Sequence, residues 1–174
     1  MIRRGKASTL LPVCAAAVTV FGSMLAVVPA LADGEGGAPY GPIVGHQGGA
    51  VLSQINSTRA ANGCAPVAAH PQLTASAARH ANDMLANGVA DHTGSDGSSL
   101  VQRVTDAGYS PYGTLGEVVF WGTGSAGTPA AAVTWWMNSP GHRAIITNCE
   151  FTDAGLSAVS NGDKMTAAGD FGKK

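Results

Sequence analysis

The chain has 174 residues, of which 12% are charged, and its formal net charge is −1 at pH 7. So weak a charge argues against an electrostatic grip on nucleic acid or on an anionic membrane. With 45% hydrophobic residues the chain is long enough for one domain with its own core.

The first 32 residues have the pattern of an export signal. Arg3, Arg4 and Lys6 precede an apolar run over residues 10–28, and residues 29–32 (PALA) supply a small-residue cleavage site. A membrane anchor is the alternative, because the run is roughly long enough to span a bilayer. The cleavage site favours removal, which leaves a net charge of about −4, since three basic and no acidic residues are lost. We therefore predict a secreted chain without a membrane segment.

After the predicted signal, residues 33–48 are rich in Gly and Pro and are typical of a flexible leader, so we place the folded domain over 49–174. Two cysteines remain, Cys64 and Cys149. An even pair in an exported chain is most simply a disulfide, whose loop of about 85 residues would stabilise the fold by roughly 4 to 5 kcal/mol. A shared metal site is less favoured, because neither cysteine has a Cys or His neighbour at ligand spacing.

The first half of this domain carries two helical patterns. Apolar residues at helical spacing predict a helix over 51–62 that ends at Gly63. A second helix is predicted from Pro71 to Gly88, with an apolar stripe on one face. His80 lies on that stripe, and we interpret it as a buried histidine that is hydrogen-bonded to the backbone.

Two further helices are predicted from their capping residues. Ser99 is a good N-cap for a helix over 99–108, and Thr128 followed by Pro129 begins another. Pro140 is expected to end the fourth helix, which would place His142 just beyond a helix C-terminus. Unpaired carbonyl groups there would favour a cationic imidazole or a bound cation.

Strand patterns follow late in the chain. Residues 117–121 are β-branched and aromatic, and residues 154–160 and 164–170 flank Asn161-Gly162, a strong hairpin signal. Helices interleaved with short antiparallel strands predict an α+β fold in which helices cover the sheet.

Three polar residues carry the most concentrated chemistry of the chain. They are His92, Glu117 and His142, each in a segment punctuated by Gly or Pro. Two imidazoles and a carboxylate can form a divalent-metal site or an acid–base site. They are about 25 residues apart, unlike the local zinc motifs, in which the ligands lie one helical turn apart. The residues alone therefore slightly favour the alternative, in which the three side chains fix loops by hydrogen bonding.

Several segments in order resemble the CAP superfamily, also called SCP, which comprises cysteine-rich secretory proteins, antigen 5 and pathogenesis-related class 1 proteins. The resemblance is to the short, secreted actinobacterial branch and covers residues 49–174. It rests on INSTRAANGC, HPQLTASAARHANDM, DHTGSDGSS, RVTDAGY, GEVVFWG, WMNSPGHRAIITNC and TAAGDFG. It implies an α-β-α sandwich with a small antiparallel sheet between helical layers, and a bridge between Cys64 and Cys149.

The resemblance also implies a cleft that can hold a divalent cation, often zinc. His92, Glu117 and His142 match the histidines and the glutamate of that cleft. Two departures matter. Val118 replaces the Asn of the G-E-N motif, which removes a hydrogen bond that supports the site, and Ser139 stands where eukaryotic relatives have a second glutamate. The resemblance therefore implies at most a three-ligand site with open water positions.

An extracellular binding module is the function that these observations favour, with a cleft for a metal and a small apolar ligand such as a lipid. Four aromatic residues could line a groove for it, although a core role explains them equally well: Phe120, Trp121, Trp135 and Trp136.

Two alternatives remain. A metal-dependent hydrolase lacks a convincing general base and oxyanion stabiliser, and neither Ser95 nor Ser139 lies in a nucleophile elbow. A wall-associated structural or interaction protein would show an exposed apolar patch. We assign no catalytic residue and expect a monomer that binds no nucleic acid.

Overall fold

The computed structural model describes residues 47–174. These residues form five α-helices, four β-strands and one turn of 3-10 helix. In chain order the elements are α1 (Gly48–Ala61), β1 (Ala68–Ala69), α2 (Pro71–Asn87), α3 (Leu100–Asp106), β2 (Thr114–Thr123), the 3-10 turn (Gly124–Ala126), α4 (Pro129–Asn138), α5 (Pro140–Ile146), β3 (Asp153–Asn161) and β4 (Lys164–Lys173).

The strands form one mixed sheet in the order β1-β3-β4-β2. Both β3 and β2 pair antiparallel with the central strand β4, whereas β1 pairs parallel with β3. The sheet is therefore the predicted antiparallel unit with a short parallel strand added at one edge.

Successive side chains of each strand point to opposite faces of the sheet, so the core is divided into two layers. On one face of the sheet, α2 packs against β3 and β4 and buries a small cluster. On the other face, α1, α4 and α5 cover a larger cluster that includes Val118, Leu156 and Phe171. Gly155 lets α2 approach closely, because a Cβ there would overlap the backbone of Leu73 and Thr74. The predicted α-β-α sandwich is confirmed.

Local signals predicted most element ends to within three residues. Thr128 caps α4 and Ser99 caps α3, each by accepting a hydrogen bond from a backbone N–H three residues later. The predicted hairpin is present, with Gly162 at a φ of 62° in the two-residue turn between β3 and β4. The first helix begins earlier than predicted, at Gly48, and the backbone N–H of Gln47 donates to Ala158 O.

Besides the 3-10 turn, two elements were not predicted. Strand β1 has only two residues and pairs with a distant strand, so it leaves no local pattern. Pro140 does not end the helical region but occupies the first turn of α5, with Ser139 as the residue shared between α4 and α5. The fourth helix does end before Pro140, as predicted, but His142 then lies inside a new helix, because proline is well suited to the first position of a helix.

The predicted disulfide between Cys64 and Cys149 is confirmed, and it closes a sequence separation of 85 residues. The fully buried Arg59 stabilises the same region, because its guanidinium connects α1 with the end of α5 and the residues that follow it. It donates to the main-chain carbonyls of Ala65, Ile146, Asn148 and Phe151.

Within residues 47–174 no helix is both long and apolar enough to cross a membrane. The predicted export signal over 1–32 and most of the predicted leader over 33–48 lie outside the described residues.

Candidate functional site

Glu117 lies at the centre of the candidate site. It is placed by β2 on the sheet face that α2 covers, and its side chain is only 2% exposed. Its Oε2 lies 2.7 Å from His92 Nδ1, and its Oε1 lies 2.6 Å from Arg103 Nη2. Both carboxylate oxygens therefore already accept a charge-assisted hydrogen bond.

Arg103 is a site residue that sequence reasoning missed. Its side chain is buried, and besides Glu117 it donates to the carbonyls of Ser98 and His92. The available signal was its position on α3, since it lies on the apolar face that Leu100 and Val104 define. A charged residue on an apolar stripe requires a buried partner.

His92 belongs to the loop between α2 and α3 and is the exposed member of the site, with a side chain 55% accessible. Its hydrogen bond to Glu117 raises its pKa above the ordinary value of 6.5, against the opposing effect of burial. Because Glu117 accepts from Nδ1, the remaining ring nitrogen of His92, Nε2, is the one free for a ligand.

His142 lies in the first turn of α5 and is held by Ser139, whose Oγ is 3.1 Å from His142 Nδ1. Its pKa is lowered, first by burial and second by the nearby His92. The expected preference for a cationic imidazole at this position is therefore wrong, because burial and the neighbouring His92 both disfavour the charged form.

The structure brings the three predicted residues into one cluster. The ring centres of His92 and His142 are 5.7 Å apart, and His92 bonds directly to Glu117. Within residues 47–174, however, no set of three or more His, Cys, Asp and Glu side chains is arranged to hold a metal ion. Any metal at this site would therefore be bound mainly by the two histidines.

Further polar residues lie behind Glu117, between α2 and the sheet. Asp170 pairs with Glu117 across β4 and β2 and is fully buried. Burial, and then the adjacent Glu117 carboxylate, raise the pKa of Asp170 well above its ordinary value. His80 is buried, and its Nε2 lies 2.8 Å from the main-chain oxygen of Asp91. This confirms the prediction of a buried histidine that is hydrogen-bonded to the backbone. Burial lowers the pKa of His80.

Several atoms of this buried group lack a hydrogen-bond partner among the described residues. They are Ser76 Oγ, His80 Nδ1, Arg103 Nε, Ser157 Oγ and both carboxylate oxygens of Asp170. Sequence reasoning also missed Asp170, although an acidic residue in a strand that is buried on both sides is an unusual signal.

An open cleft of about 370 Å³ includes one of the two histidines and is lined by His92, Thr93, Ser99, Leu100, Glu117 and Ile145. The predicted aromatic residues separate into two pairs. Phe120 and Trp136 are core residues, and Trp136 Nε1 donates to Val119 O at 2.7 Å. Trp121 and Trp135 are 46% and 49% exposed, and the Trp135 ring lies 5.1 Å from the His142 ring.

An α-β-α sandwich with two neighbouring histidines beside a buried glutamate describes the class of domain, and comparison with known proteins identifies its family. The family model of the cysteine-rich secretory protein family, CAP, matches residues 52–171. The chain therefore belongs to the CAP family.

A relative in Bacillus subtilis, the uncharacterized protein YkwD, is 33% identical over 116 residues. The match covers 67% of this chain and 44% of YkwD, so the chain spans less than half the length of that relative.

Solved structures share the fold. An outer surface protein of Borrelia burgdorferi has a TM-score of 0.65 at 20% identity, over 72% of this chain and 91% of that protein. An extracellular protein of Bacillus anthracis with an SCP domain has a TM-score of 0.60 at 23% identity. That alignment covers 74% of this chain and 40% of the B. anthracis chain. At these identities the likeness concerns the fold alone.

Proposed function

We propose that the chain is an extracellular binding module whose cleft binds a divalent cation, zinc in the first instance, through His92 and His142. The observation that carries the proposal is the pairing of both Nδ1 atoms, one with Glu117 and the other with Ser139. Metal-binding histidines commonly have their second nitrogen held in this way, which fixes the ring and leaves Nε2 for the metal.

The spacing of the two rings fits a shared ion. A zinc–nitrogen bond is about 2 Å long, so two imidazoles on one zinc have ring centres within roughly 6 Å of each other. The distance between His92 and His142 is 5.7 Å. The chemistry of the pair is that of borderline-soft nitrogen donors, which suits zinc better than calcium or magnesium.

Glu117 has a different role in this proposal from the one expected from the sequence. Because its two oxygens accept from His92 and from Arg103, it positions His92 instead of binding the metal. A bound zinc would supply a Lewis acid with open positions for water or a ligand. The residues of this chain hold the ion, fix the two rings and keep a buried carboxylate next to them.

Export is part of the proposal. Its support is the signal-like pattern of residues 1–32, the disulfide between Cys64 and Cys149, and the extracellular B. anthracis protein that shares the fold. The small apolar ligand expected from the sequence stays a prediction.

A hydrolase is the second candidate, and one contact favours it. Ser139 Oγ lies 3.1 Å from His142 Nδ1, which is within the reach of a serine nucleophile and its base. The two candidates need opposite tautomers of His142. The metal site needs a proton on Nδ1, whereas a general base needs Nδ1 free to accept the serine proton.

Calorimetric titration with zinc at pH 7.5 tests the proposal. We expect one equivalent to bind the wild type, and the His92→Ala/His142→Ala double variant to lose at least about a hundredfold in affinity. His70→Gln is the control, since it removes an imidazole that is not part of the cluster. Equal binding by the double variant would refute the site. If zinc does not bind the wild type, a screen of acyl substrates with Ser139→Ala tests the second candidate.

A further inference from the structure

Three asparagines of the chain are each followed directly by glycine. An asparagine in this position is open to deamidation, because glycine has no side chain to hinder attack by its backbone nitrogen on the preceding side-chain amide. The local sequence therefore gives the three sites similar reactivity. All three asparagines are exposed, so access to water does not separate them either: Asn62-Gly63, Asn87-Gly88 and Asn161-Gly162.

Hydrogen bonds protect the first of these sites, at the C-terminal end of α1. Asn62 Nδ2 donates to Thr58 O at 2.8 Å, and the N–H of Gly63 donates to Ala60 O at 3.1 Å. These bonds hold both the side-chain amide and the attacking nitrogen against the last turn of the helix. Reaction at Asn62 therefore requires this helix end to open first.

Asn87 is protected in the same way at the end of α2. Its Nδ2 donates to the main-chain and side-chain oxygens of Asp83 and lies 3.1 Å from Ser95 Oγ. The N–H of Gly88 donates to Met84 O at 2.9 Å. Both reacting groups are therefore bound to other atoms of the folded chain, and they are released only when the end of α2 opens.

Asn161 has neither restraint. It ends β3, and Gly162 begins the two-residue turn to β4 with a φ of 62°. Among residues 47–174, neither the side-chain amide of Asn161 nor the N–H of Gly162 has a hydrogen-bond partner. The two reacting groups therefore break no hydrogen bond of the folded protein before they meet.

We infer that Asn161 is a modification site, which deamidates in the folded protein while Asn62 and Asn87 are protected. The Gly162 nitrogen loses its proton and bonds to Asn161 Cγ, and the side-chain nitrogen leaves with a proton as ammonia. Water then opens the cyclic imide at one of its two carbonyl groups. The products are aspartate and isoaspartate in the place of Asn161, and water is the only other reactant.

Both products alter the hairpin. Each adds a negative charge opposite Lys164, the register partner of Asn161. Isoaspartate also inserts a methylene group into the main chain, which disturbs the register that a two-residue turn fixes. The change is remote from the buried carboxylates, because Lys164 is six residues along β4 from Asp170, or about 20 Å. The inference is therefore independent of the proposed metal site.

The test is to incubate the full, folded chain at pH 8 and to follow each site by peptide mass spectrometry, in which fragmentation locates the converted residue. We expect Asn161 to convert at least about tenfold faster than Asn62 or Asn87. Trypsin separates the three sites, which lie on the peptides 60–79, 80–103 and 144–164.

The chain reduced and unfolded in urea is the control for intrinsic reactivity. Unfolding frees all three sites, so their rates should then agree within about threefold. Asn161→Gln is the matched variant, because attack on the longer side chain would have to close a larger ring. It should abolish the conversion at position 161 in the folded protein.

Two results would overturn the inference. The first is equal rates at the three sites in the folded protein. The second is a folded chain in which Asn161 stays intact over the time that the unfolded chain takes to convert, since the turn would then protect Asn161 as the helix ends protect the other two sites.

Discussion

Among residues 47–174 two arginines are buried, and their surroundings differ. Arg59 donates only to main-chain carbonyls, beside the disulfide, and none of its nitrogens lacks a partner. Arg103 pairs with the buried carboxylate of Glu117 beside the cleft, and its Nε has no partner among the described residues. The buried polar atoms around Arg59 are therefore hydrogen-bonded, whereas some of those around Arg103 are not.

This difference supports the proposal that the Arg59 region serves stability and the Arg103 region serves binding. Native proteins satisfy nearly all buried polar atoms, so those that remain unpaired require a reason. Here most of them lie behind Glu117, around Asp170, His80 and Ser76, and His70 Nδ1 is the exception. Buried polar atoms without partners reduce stability, and they are characteristic of functional sites, where side chains are placed to bind a ligand.

Removing the disulfide should have the largest effect on stability. We expect Cys64→Ser/Cys149→Ser to lower the free energy of unfolding by about 4 to 5 kcal/mol, because the crosslink restricts a long loop in the unfolded chain. Urea unfolding measures this loss. Zinc affinity measured below the unfolding transition should not change, and a parallel loss would mean that the two regions are coupled.

The two arginines themselves provide the sharpest comparison. We expect Arg59→Met and Arg103→Met each to cost about 3 kcal/mol, the first by leaving several carbonyls unpaired and the second by leaving a buried carboxylate uncompensated. Only Arg103→Met should alter zinc affinity, because Glu117 then no longer holds His92 in place. Equal zinc affinity in the two variants would argue against a positioning role for Glu117.

Zinc affinity should depend on pH through His92. Its pKa is raised above 6.5. As the pH falls towards this pKa, protons therefore begin to compete with the metal for His92. Affinity should fall by about tenfold per pH unit once His92 is protonated, as calorimetry at several pH values would show. Glu117→Gln removes the main cause of the raised pKa and should move this fall to lower pH. Affinity that is constant from pH 5 to 8 would contradict the site.

Substitution of Asp170 should have the smallest effect on stability, and it should stabilise the protein, unlike the disulfide and arginine substitutions. Its raised pKa means that the folded protein binds more protons than the unfolded chain, so stability falls as pH rises from about 3.8 through the folded-state pKa. We expect Asp170→Asn to stabilise the protein by about 1 kcal/mol at pH 7.5 and to flatten this dependence. Thermal unfolding at pH 4.5 and 7.5 measures both.

Sequence patterns predicted the parts of the fold that local chemistry determines. Caps at Ser99 and Thr128 and the Gly162 turn act over three or four residues, so composition alone reveals them. Strand β1 pairs with residues more than 80 positions away and is only two residues long. Pro140 was predicted correctly to end one helix, but that it also begins the next was missed, since proline is compatible with both positions.

The site was predicted in part for a similar reason. His92, Glu117 and His142 were marked by residue type, and the structure brings them together. The partners that define their roles, Arg103 and Ser139, depend on a buried ion pair and on a helix start that local patterns did not show. Residue type thus indicated which groups matter, whereas the hydrogen bonds indicate how each could act.

The most direct test of the central claim is two-dimensional nitrogen–proton NMR of the histidine side chains, with and without zinc, at pH 8. The metal site predicts that Nδ1 of His92 and His142 carries the proton and that zinc shifts both Nε2 resonances. Absence of any shift, or a proton on Nε2 of His142, would contradict it. The latter result would instead support the pairing of His142 with Ser139 as a base and its nucleophile.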